Sequence, residues 1–307
     1  RDSGEDHFEA RTGPAGITTS YNWGAKMAAV KGYESIEVSS LTPHIGAEVS
    51  GVDLRQPLSN EQFSEIYRAW LDWQVLVFRE QDISRDQHKS FARKFGTLHV
   101  HPMQHSYGGD PEILTVKTTK DSAYTAGNAW HTDVTCDAIP PMASMLLIKE
   151  PPVNGGGDTM FANMYLAYDL LSDVMKELLD GLVAVHDGAI PYLGNYRVAP
   201  PGDKEYPRNE HPVIVTHPET GKKVLFVNSG FTSHIKGMRN WESRALLDAL
   251  LTHIATTARL TCRVEWQPNT LTLWDNRCTQ HHAVWDYWPE SRYGERVSIL
   301  GNQRPQA

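Results

Sequence analysis

Trp130-His131-Thr132-Asp133-Val134 sets an imidazole and a carboxylate two residues apart. On an extended segment, side chains with that spacing leave the same face and can grip one ion. Two ligands do not define a metal site, and a lone His-x-Asp is as readily a satisfied polar pair at a strand end. A third imidazole is available far downstream, in Trp274-Asp275-Asn276-Arg277-Cys278-Thr279-Gln280-His281-His282. Neighbours on an extended segment point to opposite faces, so only one of His281 and His282 can join the other two ligands. Two imidazoles and one carboxylate cover one face of an octahedron. Three positions stay open, which suits a non-haem Fe(II) that must take a chelating co-substrate and dioxygen together. A structural zinc would fill all four tetrahedral positions instead.

A chelating oxo acid carries a second, remote carboxylate, and burying that group unpaired costs several kcal/mol, roughly. Arginine meets the need, being bidentate and always charged. Arg292 and Arg296 follow the histidines on a segment ending in the strand-like Val297-Ser298-Ile299-Leu300. Either alone reads more readily as a surface charge. Thr159, after the tight turn Gly155-Gly156-Gly157-Asp158, adds a hydroxyl donor. His99 and His101 are also two apart and form a rival pair, but no carboxylate stands near them in the sequence.

The elements that must position these groups are short. Ser59-Asn60-Glu61-Gln62 is a capping box ahead of Phe63, Ile66, Tyr67 and Trp70, which share one helical face, and the helix ends near Trp73. Val75-Leu76-Val77-Phe78 suits a buried strand, and Ser84 with Gln87 opens a second capped helix towards Phe95 and Gly96. Ser172 starts a helix closed by Gly181. Asn240 caps one whose Leu246, Leu247, Leu250, Leu251 and Ile254 form a core-facing stripe. Val213 to Thr216 and Lys223 to Asn228 flank a hairpin turn, and Leu260 to Trp266 and Thr270 to Trp274 are strand-like. Short strands without regular helix alternation argue against a doubly wound sheet. They predict a mainly β fold with some α: an antiparallel jelly roll with flanking and inserted helices.

The 307 residues are 40% apolar, 21% charged and 9% aromatic, a globular composition that excludes disorder, collagen and coiled coil. Lys and Arg number 29 against 37 Asp and Glu, and the formal charge of −8 repels phosphate backbones and anionic lipid, so neither nucleic acid nor a membrane is an expected partner. No run approaches a bilayer-spanning length and no secretory apolar block opens the chain. Three widely spaced cysteines, Cys136, Cys262 and Cys278, suggest neither a disulfide framework nor a zinc knuckle, so a reducing, cytoplasmic setting is expected. Residues 1–26 read as a disordered or appended extension, and 27–307 as one domain. Association with further copies of the chain is left open.

Several motifs in fixed order carry a resemblance that runs from about Ile36 to Gly301. They are Gly46-Ala47-Glu48-Val49-Ser50-Gly51-Val52-Asp53-Leu54, Trp130-His131-Thr132-Asp133-Val134-Thr135, Gly156-Gly157-Asp158-Thr159, Phe226-Val227-Asn228-Ser229-Gly230-Phe231-Thr232, Trp274-Asp275-Asn276-Arg277 and Gln280-His281. In these the sequence resembles the taurine and aryloxyalkanoate (TauD/TfdA-type) Fe(II)/2-oxoglutarate-dependent dioxygenases. The resemblance implies a double-stranded β-helix in which His131, Asp133 and His281 hold Fe(II), and 2-oxoglutarate chelates it. Arg292 and Thr159 would then bind the distal carboxylate and Arg296 would face the substrate anion. In that family dioxygen and 2-oxoglutarate yield succinate and carbon dioxide while an unactivated carbon of the substrate is oxidised. His101, Gln104, Asn128, Val134, Tyr192 and Phe231 are implied to surround the substrate.

The sequence departs from the taurine enzymes where they recognise an amine. Gln104 replaces their tyrosine, Ala126 and Gly127 stand where they have an Asp-Asn pair, and Asn128 is shifted by one. Without its polar contacts a site discriminates poorly for that amine. The expected substrate is therefore a small organic anion with one charged end: a sulfonate, a sulfate ester or an ether-linked carboxylate. Other readings are an oxidative tailoring enzyme of the same family, a zinc hydrolase, which gives the two arginines no role, and a non-catalytic jelly-roll binding module. Asp133 argues against a halogenase, whose halide needs the carboxylate's coordination position. Lys117 to Asn128, polar and glycine-containing, is a candidate lid.

Overall fold

The computed structural model describes residues 28–100, 109–195, 197–200 and 202–307. His101, Gln104 and the first 26 residues lie outside that set. Numbered along the chain, the largest sheet runs in the order β1 (Ala28–Val30), β2 (Glu37–Ser40), β3 (Ala47–Ser50), β4 (Val75–Phe78), β14 (Thr270–Asp275), β6 (Ala143–Glu150), β16 (Arg292–Ile299), β5 (Leu114–Thr118). A second sheet is β13 (Thr261–Val264), β7 (Thr159–Asn163) and β15 (Thr279–Ala283). A third is β12 (Thr232–Ile235), β8 (Val183–Asp187) and β9 (Arg208–Pro212), and β10 (Ile214–Thr216) pairs with β11 (Lys223–Leu225). All these pairings are antiparallel except β3 with β4. The helices are α1 (Asn60–Trp73), α2 (Arg85–Arg93), α3 (Met164–Asp169), α4 (Asp173–Leu179) and α5 (Asn240–Thr256). The fold is mainly β with helices outside the sheets, and none of the described helices is long and apolar enough to cross a membrane.

Strand periodicity explains how the layers are built. Leu76 and Phe78 of β4 join Met145, Leu147, Leu271, Leu273, Val297 and Ile299 in one apolar cluster with Ile66 and Trp70 of α1 and Phe91 of α2. The alternate residues Val75, Val77, Leu146, Ile148 and Trp274 pack on the opposite face against Phe161 of β7 and Cys262 and Val264 of β13. The large sheet thus lies between helices and the second sheet, so its central strands are apolar on both sides.

Both N-terminal capping boxes form at Ser59 and Ser84. Three local expectations are corrected. The α5 N-cap is Arg239, not Asn240. Arg239 has no side-chain oxygen to cap the helix, and Glu242 reaches back to accept from the Arg239 backbone N–H at 2.9 Å, the other half of a capping box. The strand begun at Lys223 ends at Leu225, and Asn228 makes a turn by accepting the Phe231 N–H on its Oδ1 at 2.9 Å. The segment after His131 is a turn rather than a strand, as described below. Helix α3 was not expected; Asn163 caps it through the Leu166 N–H, but six residues are too few to show a helical period.

Candidate active site

An isolated antiparallel bridge joins His131 to His281 of β15. The His131 N–H donates to the His281 carbonyl at 3.0 Å and the His281 N–H to the His131 carbonyl at 2.8 Å. This register, between residues far apart in sequence, brings the imidazole centroids to 4.0 Å. The chain then turns, with the Asp137 N–H donating to the Val134 carbonyl at 3.0 Å. Val134 takes φ +48°, a conformation that costs a β-branched residue about 1 to 3 kcal/mol. The turn aims Asp133 Oδ1 back at the rings, 3.9 Å from His131 Nε2 and 4.0 Å from His281 Nε2. His282 leaves the other face of β15, and its ring lies 5.7 Å from that of Trp130.

The donor chemistry of this triad fits a divalent cation. Its three ligand atoms lie within 4.8 Å of one another and all three residues are buried. His131 Nδ1 is 2.8 Å from the Ala129 carbonyl, which only accepts; the ring proton is therefore on Nδ1 and the Nε2 lone pair is free to ligate. Burial lowers the pKa of both imidazoles, favouring the neutral, ligating form. Burial opposes the charge of Asp133, but the Arg296 guanidinium and the Ser144 hydroxyl help hold its carboxyl well below the usual range. A second buried group, His217, Asp275 and Cys278, is a structural bracket. Arg277 donates to both Asp275 oxygens at 2.8 and 2.7 Å, and His217 Nδ1 accepts the Glu219 and Thr220 N–H groups. His217 Nε2–H then donates to Asp275 at 3.1 Å, leaving no imidazole lone pair for a cation.

Arg292, 2% exposed, faces the same cavity, and its Nε and Nη2 have no hydrogen-bond partner among the described residues. Its guanidinium lies 5.5 Å from the ring centroid of Trp266, whose indole N–H donates to Thr159 Oγ1 at 3.1 Å. Trp266 was not singled out from sequence, because nothing in its local pattern separates it from an ordinary core aromatic. Arg296 stands opposite Leu146 in the strand register and donates from Nη1 to Asp133 Oδ1 at 2.7 Å, while its Nε has no partner among the described residues. Its expected roles are to help bind the co-substrate and to face a substrate anion; it also engages the carboxylate of the triad.

The cavity that holds these groups measures about 410 Å³. Val134, Tyr192 and Phe231 form one apolar cluster on its wall, with Cys136 behind them, and Asn128 lines the same space. His99, half of the rival pair, has a carboxylate after all: Asp137 Oδ2 lies 3.7 Å from its Nε2, supplied by the turn after the triad. Gly127 and Gly230 fit closely around His131. A Cβ on Gly230 would lie 2.7 Å from His131 Cβ, and one on Gly127 would lie 3.0 Å from its Cε1.

This fold and site define a class: residues 37–298 match the model of the taurine catabolism dioxygenase TauD, TfdA family, and the chain belongs to that family. Among its relatives, the alpha-ketoglutarate-dependent dioxygenase cnsM of Penicillium expansum is 35% identical over 284 residues, covering 88% of this chain and 79% of that protein. An alkylsulfatase of Acinetobacter baylyi is 34% identical over 281 residues, covering 87% and 86%. The crystal structure of a taurine dioxygenase from Burkholderia xenovorans is similar with a TM-score of 0.76 and 36% identity, over 88% of this chain and 90% of that one.

Proposed function

We propose that this protein is an Fe(II)- and 2-oxoglutarate-dependent dioxygenase that oxidises a carbon of a small organic anion. The observation that carries the reading is Arg292. A guanidinium with two nitrogens that have no hydrogen-bond partner among the described residues, buried in the same cavity as two imidazoles and a carboxylate, calls for an anionic ligand beside a metal. A zinc hydrolase has no use for that cation, and a plain binding module has no use for the triad. We read the paired sheets as a double-stranded β-helix and residues 27–307 as one domain.

In this reading His131, Asp133 and His281 hold the ion, and Arg292 with Thr159 holds the distal carboxylate of 2-oxoglutarate. When bound, the ferrous ion with 2-oxoglutarate and dioxygen supplies the oxidising power for an unactivated C–H bond, releasing succinate and carbon dioxide. The chain binds, orients and shields. The Ala129 carbonyl keeps the His131 proton on Nδ1, and the stacked Trp266 fixes both the Arg292 fork and the Thr159 hydroxyl. Arg296, whose Nε has no partner among the described residues, presents its positive charge to a substrate anion in the cavity, and Val134, Tyr192 and Phe231 exclude water from the substrate's apolar body.

A sulfonate, sulfate ester or ether-linked carboxylate fits one charged end and an apolar wall. The alkylsulfatase and taurine dioxygenase relatives support a sulfur oxyanion. Ala126 and Gly127 line the cavity and provide no side-chain hydrogen bond for an ammonium group, so taurine is disfavoured.

Anaerobic addition of Fe(II) and 2-oxoglutarate is expected to give a weak visible charge-transfer band. Asp133→Ala should abolish metal retention and the band. Arg292→Ala should keep the metal but weaken 2-oxoglutarate by roughly 30- to 1,000-fold, about 2 to 4 kcal/mol for a charge-assisted bidentate contact. Equal, small effects of the two would refute both roles. Turnover of 2-oxoglutarate across a panel of such anions, with a neutral isostere as control, tests the substrate class.

A further inference from the structure

Ser144 lies on β6, opposite Trp274 of β14 on one side and Ser298 of β16 on the other, so three adjacent strands bring these residues into a row. Asn276 follows β14, fixed by its backbone N–H on the Met142 carbonyl at 2.9 Å. The Trp274 indole nitrogen is 2.9 Å from Asn276 Oδ1, Asn276 Nδ2 is 3.1 Å from Ser144 Oγ, and Ser144 Oγ is 2.7 Å from Asp133 Oδ2. Trp274, Asn276, Ser144 and Asp133 are each at most 3% exposed, so water does not compete.

The direction of every link is forced. An indole N–H only donates, so it faces the amide oxygen of Asn276 and turns the amide NH₂ towards Ser144. An ionised carboxylate only accepts, so Ser144 gives its single proton to Asp133. The Ser298 hydroxyl, 3.2 Å away, is left to donate to the remaining lone pair of Ser144. Asp133 Oδ2 thereby accepts from Ser144, while Oδ1, which also accepts from Arg296 Nη1 at 2.7 Å, is the oxygen turned towards the two imidazoles.

We infer that Ser144 and Asn276 are positioning residues. They form a one-way hydrogen-bond chain from Trp274 that holds Asp133 as a ligand through one oxygen only, keeping the other from chelating. The inference rests on the reading of His131, Asp133 and His281 as the metal ligands. An isosteric Asn276→Asp change reverses the chain, because the new carboxylate accepts from Trp274 but cannot donate to Ser144, and it competes for the serine proton. Ser144→Ala removes the last link.

The test is titration of the chain with Co(II), read by its ligand-field spectrum, with folding checked by circular dichroism. Both variants are expected to weaken Co(II) by about 10- to 100-fold, the usual effect of losing a partner of a metal ligand, and to change the spectrum of the bound ion. Folded variants that bind Co(II) within about 2-fold of the parent, with an unchanged spectrum, would overturn the inference. Should one variant not fold, the other decides by the same criterion. The infrared carboxylate bands of the parent on Co(II) addition give a reading that needs no variant: a one-oxygen signature supports the chain and a chelating signature overturns it. A parent that binds no Co(II), matched by Asp133→Ala, instead removes the triad reading and this inference with it.

Discussion

A methyl group at residue 230 would press on His131 with no room to yield, since the Cβ of His131 is held by its backbone bridge to His281. Gly230→Ala is therefore expected to shift the imidazole and weaken metal binding by at least about 10-fold, with about 1 to 3 kcal/mol of destabilisation from overpacking. Calorimetric metal titration beside a urea curve separates the two effects, and near-parental metal affinity in a folded variant would show that the glycine has no such role. At this scale much of the candidate site was legible: His131, Asp133, Thr159, Arg292 and Arg296 stood out because their chemistry is rare in combination. Ser144, Trp266 and Gly230 did not, because a buried serine, tryptophan or glycine is ordinary until its neighbours are known.

Strand β16 carries both arginines on the cavity side and Glu295 towards α2, where Arg85 donates to it from Nε and Nη2 at 2.9 and 2.7 Å. Glu295 is 2% exposed, so Arg85→Ala leaves a buried carboxylate with only Tyr293 and Lys149 for support. The expected loss is about 2 to 3 kcal/mol, larger than the roughly 1 kcal/mol expected for removing the adjacent cap in Ser84→Ala. Urea midpoints of the two variants check the order, and the reverse order would discount the pair. Elements defined by local chemistry, such as the capped helices α1 and α2 and the β-branched strand β4, were readable in advance. The turn after His131 was not, because a β-branched residue at φ +48° contradicts its own preference and is imposed by the surrounding fold.

For the whole molecule, pH reaches stability through fully buried His88 of α2. Burial, helped by Lys149 and opposed by Glu295, lowers its pKa from 6.5 to about 4. Between those values the unfolded chain binds a proton that the folded chain does not. Its contribution is thus full above pH 6.5 and is lost as the pH falls towards 4, by about 3 kcal/mol. Urea unfolding at pH 7, 5.5 and 4.5 should show that decline, and His88→Leu should flatten it; an equally steep decline in His88→Leu would assign it to other groups.

The order of motifs along the chain determined the family, the mainly β architecture and the short list of candidate ligands, because residue type and spacing record which groups are available and on which local period. Tertiary structure decided the rest. Only the register of β15 turns His281, and not His282, towards Asp133, and only the pairing of β14, β6 and β16 lines up Trp274, Ser144 and Ser298. The contact of Arg296 with Asp133 likewise joins positions on separate elements. Such relations depend on which strands lie side by side, and that is fixed by burying apolar surface across the whole chain rather than by any local run of residues.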